Sequence, residues 1–226
     1  MNDYGDPIWR TIFLNKKWGE YPAEEMVRFI MYAKNYINKK EVACLDIGCG
    51  IGACIWCIAK EIGKVTAMEG TKSALDKVKR LCRKMNIDLE NIDICHGDIT
   101  FPKDYLNHSF DILVDNYSLY ANLASHIRQA YIQYYHLLKE EGLFITNCFG
   151  KNTTGFNTGQ KIEDNTFINL EKGTLKNKGK TTFWDRKELN EMFEKTGYRI
   201  VNIENIIENR NNVIIEKHIN LFNKII

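Results

Sequence analysis

Apolar positions along this chain fall into short unbroken runs that alternate with stretches repeating every three to four residues. Residues 41–47 (EVACLDI) form a compact apolar run suited to a buried parallel strand, and the glycines of 48–52 punctuate it. Residues 53–62 then read as a helix, 64–68 as a second strand, and 72–85 as a helix with Ala74, Leu75, Val78 and Leu81 on one face. Third and fourth strands are predicted at 91–95 and 110–115. Ile127, Ala130, Tyr131, Tyr134 and Leu138 keep helical spacing ahead of a fifth strand over 142–147. A polar, Gly/Asn/Lys-rich interruption occupies 151–180. After it, Asp185 with Glu188 three places on predicts an N-cap pair, opening a helix that carries Leu189, Met192 and Phe193 and that Gly197 is placed to end. Two last strands, 198–204 and 213–222, flank a turn-rich 208–212 too short for a crossover helix, so they are expected to be antiparallel. Ahead of the sheet, 22–38 is an amphipathic helix with Met26, Phe29, Ile30, Ala33 and Ile37 on one stripe.

The sum is an α/β fold: a seven-stranded, mostly parallel sheet with an antiparallel final strand and helices on both faces. Residues 1–40 read as an N-terminal lid segment and helix, and 41–226 as the main domain with an insertion at about 151–183. Ligands of such sheets bind beyond the carboxyl ends of the strands where strand order reverses, which places a crevice past Ile47 and Asp115.

Composition narrows the partners. At 226 residues, 44% hydrophobic and 27% charged, the chain fits one globular α/β domain and excludes disordered, collagen-like and coiled-coil classes. Thirty-one Lys+Arg against 29 Asp+Glu give a formal +2, too balanced to call for a nucleic acid. No apolar run approaches the roughly 18 residues of a membrane span, and the first ten residues, with Asp3 and Asp6, lack a signal-peptide core. The seven cysteines are odd in number and sit in apolar surroundings, as expected of free thiols in a reducing, cytoplasmic compartment. Cys54-x-x-Cys57 has no second Cys/His pair at zinc-like spacing, so no metal is expected.

The most informative stretch is Leu45-Asp46-Ile47-Gly48-Cys49-Gly50-Ile51-Gly52. Its glycines let the backbone turn sharply and approach a ligand, and the helix opening at Ala53 aims unpaired N–H groups at a carboxylate or phosphate. Gly48-x-Gly50-x-x-Ala53 also fits a loose dinucleotide fingerprint. Asp46 separates the two, because a carboxylate there repels a pyrophosphate and favours an ammonium. Glu69, 19 residues after Gly50, can accept both hydroxyls of a ribose. Asp98 can take an adenine amino group while Ile99 packs the ring. All three acids are expected at carboxyl ends of one sheet. A ligand with an ammonium, a carboxylate and an adenosine fits them better than NAD.

At these residues the chain resembles the class I S-adenosylmethionine-dependent methyltransferases, with their Rossmann-like fold. Residues 46–52 match that family's glycine-rich signature, Glu69-Gly70 its ribose acid, Gly97-Asp98 its adenine position, 110–115 its fourth-strand motif and 137–144 its passage into strand five, with Glu141 where Pro or Gly is more usual. The resemblance implies S-adenosylmethionine as cofactor and S-adenosylhomocysteine as product. It places Asp46, Gly48, Cys49, Gly50, Gly52, Glu69, Gly70, Asp98, Ile99 and Asn116 at the cofactor, with Arg10, Trp18 and Tyr21 as lid residues. Tyr117 is expected to face the reaction crevice, and His126 is the first choice of base, being able to accept a proton near neutral pH. His136 and His218 read as structural. The aromatic run at 18–22 and the segment from 164 to 184 look most like small-molecule methyltransferases, acting on a sugar or another metabolite, and the insertion is expected to build the acceptor pocket. Lys172, Lys176, Lys178 and Lys180 read first as a solvated loop, with attraction of an anionic acceptor, such as a phosphorylated or nucleotide-linked metabolite, as the alternative. Asp115-Asn116-Tyr117-Ser118 lacks the Pro-Pro-aromatic step usual in methyltransferases acting on exocyclic or amide nitrogens, which disfavours nucleic-acid and protein substrates. A module that binds the cofactor without turnover is the remaining alternative.

Overall fold

Why the chain folds around one sheet is visible in the computed structural model, which describes residues 3–16 and 19–224. Strands β1 (Cys44–Ile47), β2 (Val65–Glu69), β3 (Ile92–His96), β4 (Phe110–Asn116) and β5 (Leu138–Gly150) are parallel in the order β3-β2-β1-β4-β5. Strand order therefore reverses between β1 and β4. At the far edge β10 (Val213–Lys224) runs antiparallel to β5 and pairs with β9 (Tyr198–Arg210). Those two strands run further than their apolar runs suggest, because the turn between them is only Asn211-Asn212. Both residues are left-handed, with φ of 52° and 64°, the geometry of a tight hairpin and one that Asn tolerates.

Side chains alternate across the strands and divide the core in two. Ile112, Val114, Leu143 and Ile145 face α2 (Glu24–Tyr36), α3 (Ala53–Glu61) and α4 (Lys72–Lys84), while Phe110, Leu113 and Phe144 face α5 (Ala124–Leu137) and α6 (Arg186–Thr196). The stripe expected on α2, Met26, Phe29, Ile30, Ala33 and Ile37, is wholly buried. A short α1 (Ile8–Asn15) lies ahead of it.

The insertion is more ordered than a polar loop. It contains β6 (Gln160–Glu163), β7 (Thr166–Ile168) and β8 (Thr181–Trp184), an antiparallel outgrowth whose β8 pairs in parallel with the end of β5 at Phe149 and Gly150. Among the described residues ten strands thus stand where seven were expected, the seven-stranded core order being intact. An apolar cluster of Phe167, Leu170, Leu175 and Phe183 holds the additions together with hydroxyl relays. Thr166 Oγ1 accepts from Ala124 N (3.0 Å) and donates to Thr182 Oγ1 (2.6 Å), which donates to Asn122 O (2.6 Å). The capping box of α6 ties the insertion in as well. Glu188 accepts from Asp185 N (3.0 Å), from Lys151 Nζ (2.7 Å) and from Asn165 Nδ2 (2.9 Å), while Asp185 accepts from Glu188 N (2.9 Å).

At the opposite end of the sheet, Asp111 is fully buried and accepts from Ala43 N (3.0 Å), Lys39 Nζ and Lys139 Nζ (both 2.8 Å). Burial alone would raise its pKa, but the two lysines and the Ala43 N–H outweigh it and hold the carboxyl below its ordinary value. Asp111→Ala leaves that N–H without its partner and should cost about 1–3 kcal/mol, read as a lower denaturant midpoint. The group's contribution is present above its unfolded pKa of about 3.9 and is lost as pH falls through its lower folded value, so the variant's deficit should shrink in acid.

Candidate active site

β1 ends in a loop that only glycine-rich sequence can form. Gly48, Gly50 and Gly52 take φ of 64°, 55° and 96°, a region that side-chain-bearing residues avoid. The loop folds back so that Cys49 N donates to Met68 O and Gly52 N to Cys49 O, both at 3.0 Å. A side chain at Gly48 would strike Ser118 Cβ at 2.4 Å, and one at Gly52 would press Val78 at 3.2 Å. Gly52 therefore serves the packing of α3 on α4 and lies behind the cavity rather than on its wall.

Beyond the strand ends lies a cavity of about 300 Å³, at the small end of small-molecule sites. Four acids line it: Asp6, Asp46, Glu69 and Asp98. Asp46 is 2% exposed, and its Oδ2 has no hydrogen-bond partner. Burial first, then the neighbouring Asp115 and Glu69, push its pKa up to about 8. Glu69 is held by two main-chain donors, Gly50 N (3.0 Å) and Thr71 N (2.8 Å), which partly offset the upward push of burial. Asp98 accepts on Oδ1 from Thr100 N (2.8 Å) and Thr100 Oγ1 (2.7 Å). Asp115 is spent on the fold: it accepts from Ser118 N (2.9 Å), Leu119 N (3.2 Å) and Thr146 Oγ1 (2.8 Å), fastening the turn that carries Asn116 and Tyr117.

The rest of the wall is aromatic. Tyr117, with a left-handed φ of 55°, stacks on Phe149 (4.9 Å, 28°), and its hydroxyl donates to Glu25 Oε1 (3.5 Å). Tyr120 meets Phe149 edge-on (4.8 Å, 89°), and Trp9 meets Tyr120 likewise (6.4 Å, 86°). The N-terminal segment closes the opposite side. Tyr4 N donates to Gly70 O (2.9 Å), Tyr4 packs on His96 and Tyr105, and Phe13 lies 3.4 Å from where a Gly50 Cβ would stand.

Of the expected site residues, Asp46, Gly48, Cys49, Gly50, Glu69, Gly70, Asp98, Ile99, Asn116 and Tyr117 line this one cavity. Three expectations are corrected. Arg10 points outward, 68% exposed with Asp3 at 3.8 Å, because α1 turns Trp9 and Phe13 inward instead. Tyr21 is 69% exposed and packs edge-on against Trp56, away from the cavity. Trp18 lies outside the described residues. His126 is in the first turn of α5 as expected, but Ala124 and Ile127 take the inward positions and leave its ring against Phe101 (5.5 Å), outside the cavity. The cover the sequence reading missed is Tyr4, Trp9 and Phe13. Its one signal was the four-residue spacing of Trp9 and Phe13, which puts both rings on one helix face. His218 is buried, with Nε2 at 3.1 Å from Trp184 O. Of Lys172, Lys176, Lys178 and Lys180, only Lys178 reaches the cavity; Lys180 pairs with Asp6 (3.5 Å).

Residues 38–197 match a family model described as a methyltransferase domain. No curated protein matches the sequence. Among solved structures, the chain is similar to a 1,6-didemethyltoxoflavin-N1-methyltransferase from Burkholderia thailandensis, solved with bound 1,6-didemethyltoxoflavin and S-adenosylhomocysteine (TM-score 0.68, 14% identity, covering 97% of this chain and 88% of that one). It is equally similar to the [4+2]-cyclase SpnF (TM-score 0.68, 13% identity, 100% and 99%). TehB from Haemophilus influenzae also aligns (TM-score 0.62, 12% identity, 87% of this chain), and the chain spans 62% of its length. At these identities the likeness is one of fold.

The raised pKa of Asp46 has a measurable sign. The folded state holds its proton up to about pH 8, whereas the unfolded chain releases it near about 3.9. The folded state thus binds more protons across that window, and ligand-free stability should fall as pH rises through 8. Denaturant midpoints between pH 5 and 9 should show that fall in the wild type and a flatter profile in Asp46→Asn.

Proposed function

From the methyltransferase-domain family, to which this chain belongs over residues 38–197, we propose methyl transfer from S-adenosylmethionine to a small-molecule acceptor, leaving S-adenosylhomocysteine. The enzyme class and cofactor follow from the family; the acceptor's size is our reading. The observation that carries it is a cavity of about 300 Å³, flanked by the N-terminal segment on one side and the aromatic wall on the other, a space on the scale of a small molecule. The near-neutral charge of +2 agrees with this.

The residues present fit the cofactor. The unpartnered Oδ2 of Asp46 suits its ammonium, and the Gly50 loop with the N-terminus of α3 suits its carboxylate. Glu69, already oriented by Gly50 N and Thr71 N, is positioned for the ribose hydroxyls, and Asp98 with Ile99 for the adenine. When bound, S-adenosylmethionine supplies a methyl carbon activated by a sulfonium. The chain's part is alignment and exclusion of water. Asn116 and Tyr117, fixed by the Asp115 turn, and the Phe149–Tyr120 wall hold an acceptor in one place. Such alignment can supply about 7–11 kcal/mol of the barrier. Among the described residues lining the cavity there is no histidine to act as base. Seven free cysteines support a reducing, cytoplasmic location, and among the described residues no helix is long and apolar enough to cross a membrane.

Titration calorimetry should show micromolar binding of S-adenosylhomocysteine, with a rise in melting temperature by mass action, and no binding of NAD. Glu69→Ala should weaken that binding by about 1–3 kcal/mol in a variant that still melts cooperatively. An unchanged dissociation constant would remove Glu69 from the site.

A further inference from the structure

Charge is unevenly distributed around the cavity. Of its four acids, Asp46, Glu69 and Asp98 are assigned to the cofactor, whereas Lys178 is the one Lys or Arg that lines it among the described residues. Lys178 is partly buried and has no carboxylate within ion-pair distance among those residues. Asp6, which also lines the cavity, is already engaged by Ile8 N (3.1 Å), Lys180 N (3.2 Å) and the Lys180 ammonium. The charge that bears on Lys178 is a second cation, Lys16, and burial and that cation both push its pKa down. An anion beside it would relieve both.

Lys178 also arrives together with the aromatic wall. Its N–H donates to Leu175 O (3.3 Å), and Leu175 packs in one apolar cluster with Tyr120 and Phe183, against which Tyr117 and Phe149 lie. A ring slotted against such faces gains from stacking and edge contacts, while a cationic ligand would meet repulsion from Lys178. Resting on the methyltransferase reading of the cavity, we propose that the acceptor is a planar aromatic molecule that ionises at a phenol-type hydroxyl or a ring N–H and is bound as that anion, its charge against Lys178 and its ring against the Tyr117, Phe149 and Tyr120 wall. The acceptor's proton leaves to solvent on ionisation. Its oxygen or nitrogen lone pair then forms the bond to the methyl carbon while the carbon–sulfur electron pair stays with sulfur, so an anion and a sulfonium become two neutral groups. No protein base is required, in keeping with a wall that carries no histidine.

The test uses 4-nitrophenol, whose anion is yellow, titrated into the protein loaded with S-adenosylhomocysteine at a pH where the free probe is mostly protonated. Binding should raise the anion's absorbance. Lys178→Met should weaken probe binding about tenfold or more, as expected for a lost charge-assisted contact, and Lys178→Arg should retain most of it. Cyclohexanecarboxylate, whose ring is saturated rather than aromatic, and benzyltrimethylammonium, carrying the wrong charge, should bind more weakly than the probe. S-adenosylhomocysteine affinity should be the same in wild type and Lys178→Met. Unchanged probe binding in Lys178→Met, or tighter binding of the cationic control, would overturn the proposal. So would loss of S-adenosylhomocysteine binding in that variant, since the lysine would then serve the cofactor's carboxylate. Failure of the wild type to bind S-adenosylhomocysteine would instead remove the methyltransferase reading itself.

Discussion

Placing Asp46 at the end of β1, beside Asp115 and Glu69, crowds like charges where little water can screen them, and much of the local architecture answers that crowding. Asp115 is neutralised in effect by main-chain and hydroxyl donors, and in return it fixes the turn after β4. Glu69 is satisfied in part by the loop that follows β1 and by the start of α4. Asp46 alone keeps an oxygen without a partner. The three stand together because β2, β1 and β4 are neighbours in the sheet and end at one level. Strand order thus concentrates the electrostatic demand that a cationic ligand can relieve.

Much of this was legible in the sequence, and for identifiable reasons. Parallel strands buried on both faces give continuous apolar runs such as 110–115, and helices packed on one side give stripes such as that of α2. The capping box at Asp185 and Glu188 is a local device written in two side chains, and it appears as read. The three strands of the insertion were not legible, because positions such as Thr166 and Thr182 are buried through hydroxyl partners and break any apolar alternation. The cover was misplaced for a related reason. Tyr21, an aromatic in a non-helical run, packs on Trp56, whereas the cavity is flanked by Tyr4 and by one face of α1. His126 was placed correctly along the helix and wrongly around it, a distinction set by which neighbours pack inward.

The glycine loop shows how one motif can divide its labour. Gly50 presents its N–H to Glu69 and stands open to the cavity, while Gly48 leaves room for Ser118 and Gly52 for Val78. Gly48 therefore combines a place on the cavity wall with a packing role, and Gly52 acts through packing behind it. A single substitution at Gly52 would disturb the junction of α3 and α4 before it touched the cavity wall.

Glu188 gives the region over the crevice its character. One carboxylate caps α6, holds Lys151 at the exit of β5 and holds Asn165 in the turn before β7. The outgrowth is thereby bolted to a helix of the main core and, through Phe149 and Gly150, to the sheet itself. That side of the crevice is thus walled by paired strands and a capped helix rather than by a bare loop, so its outline is written into the hydrogen bonds of the sheet.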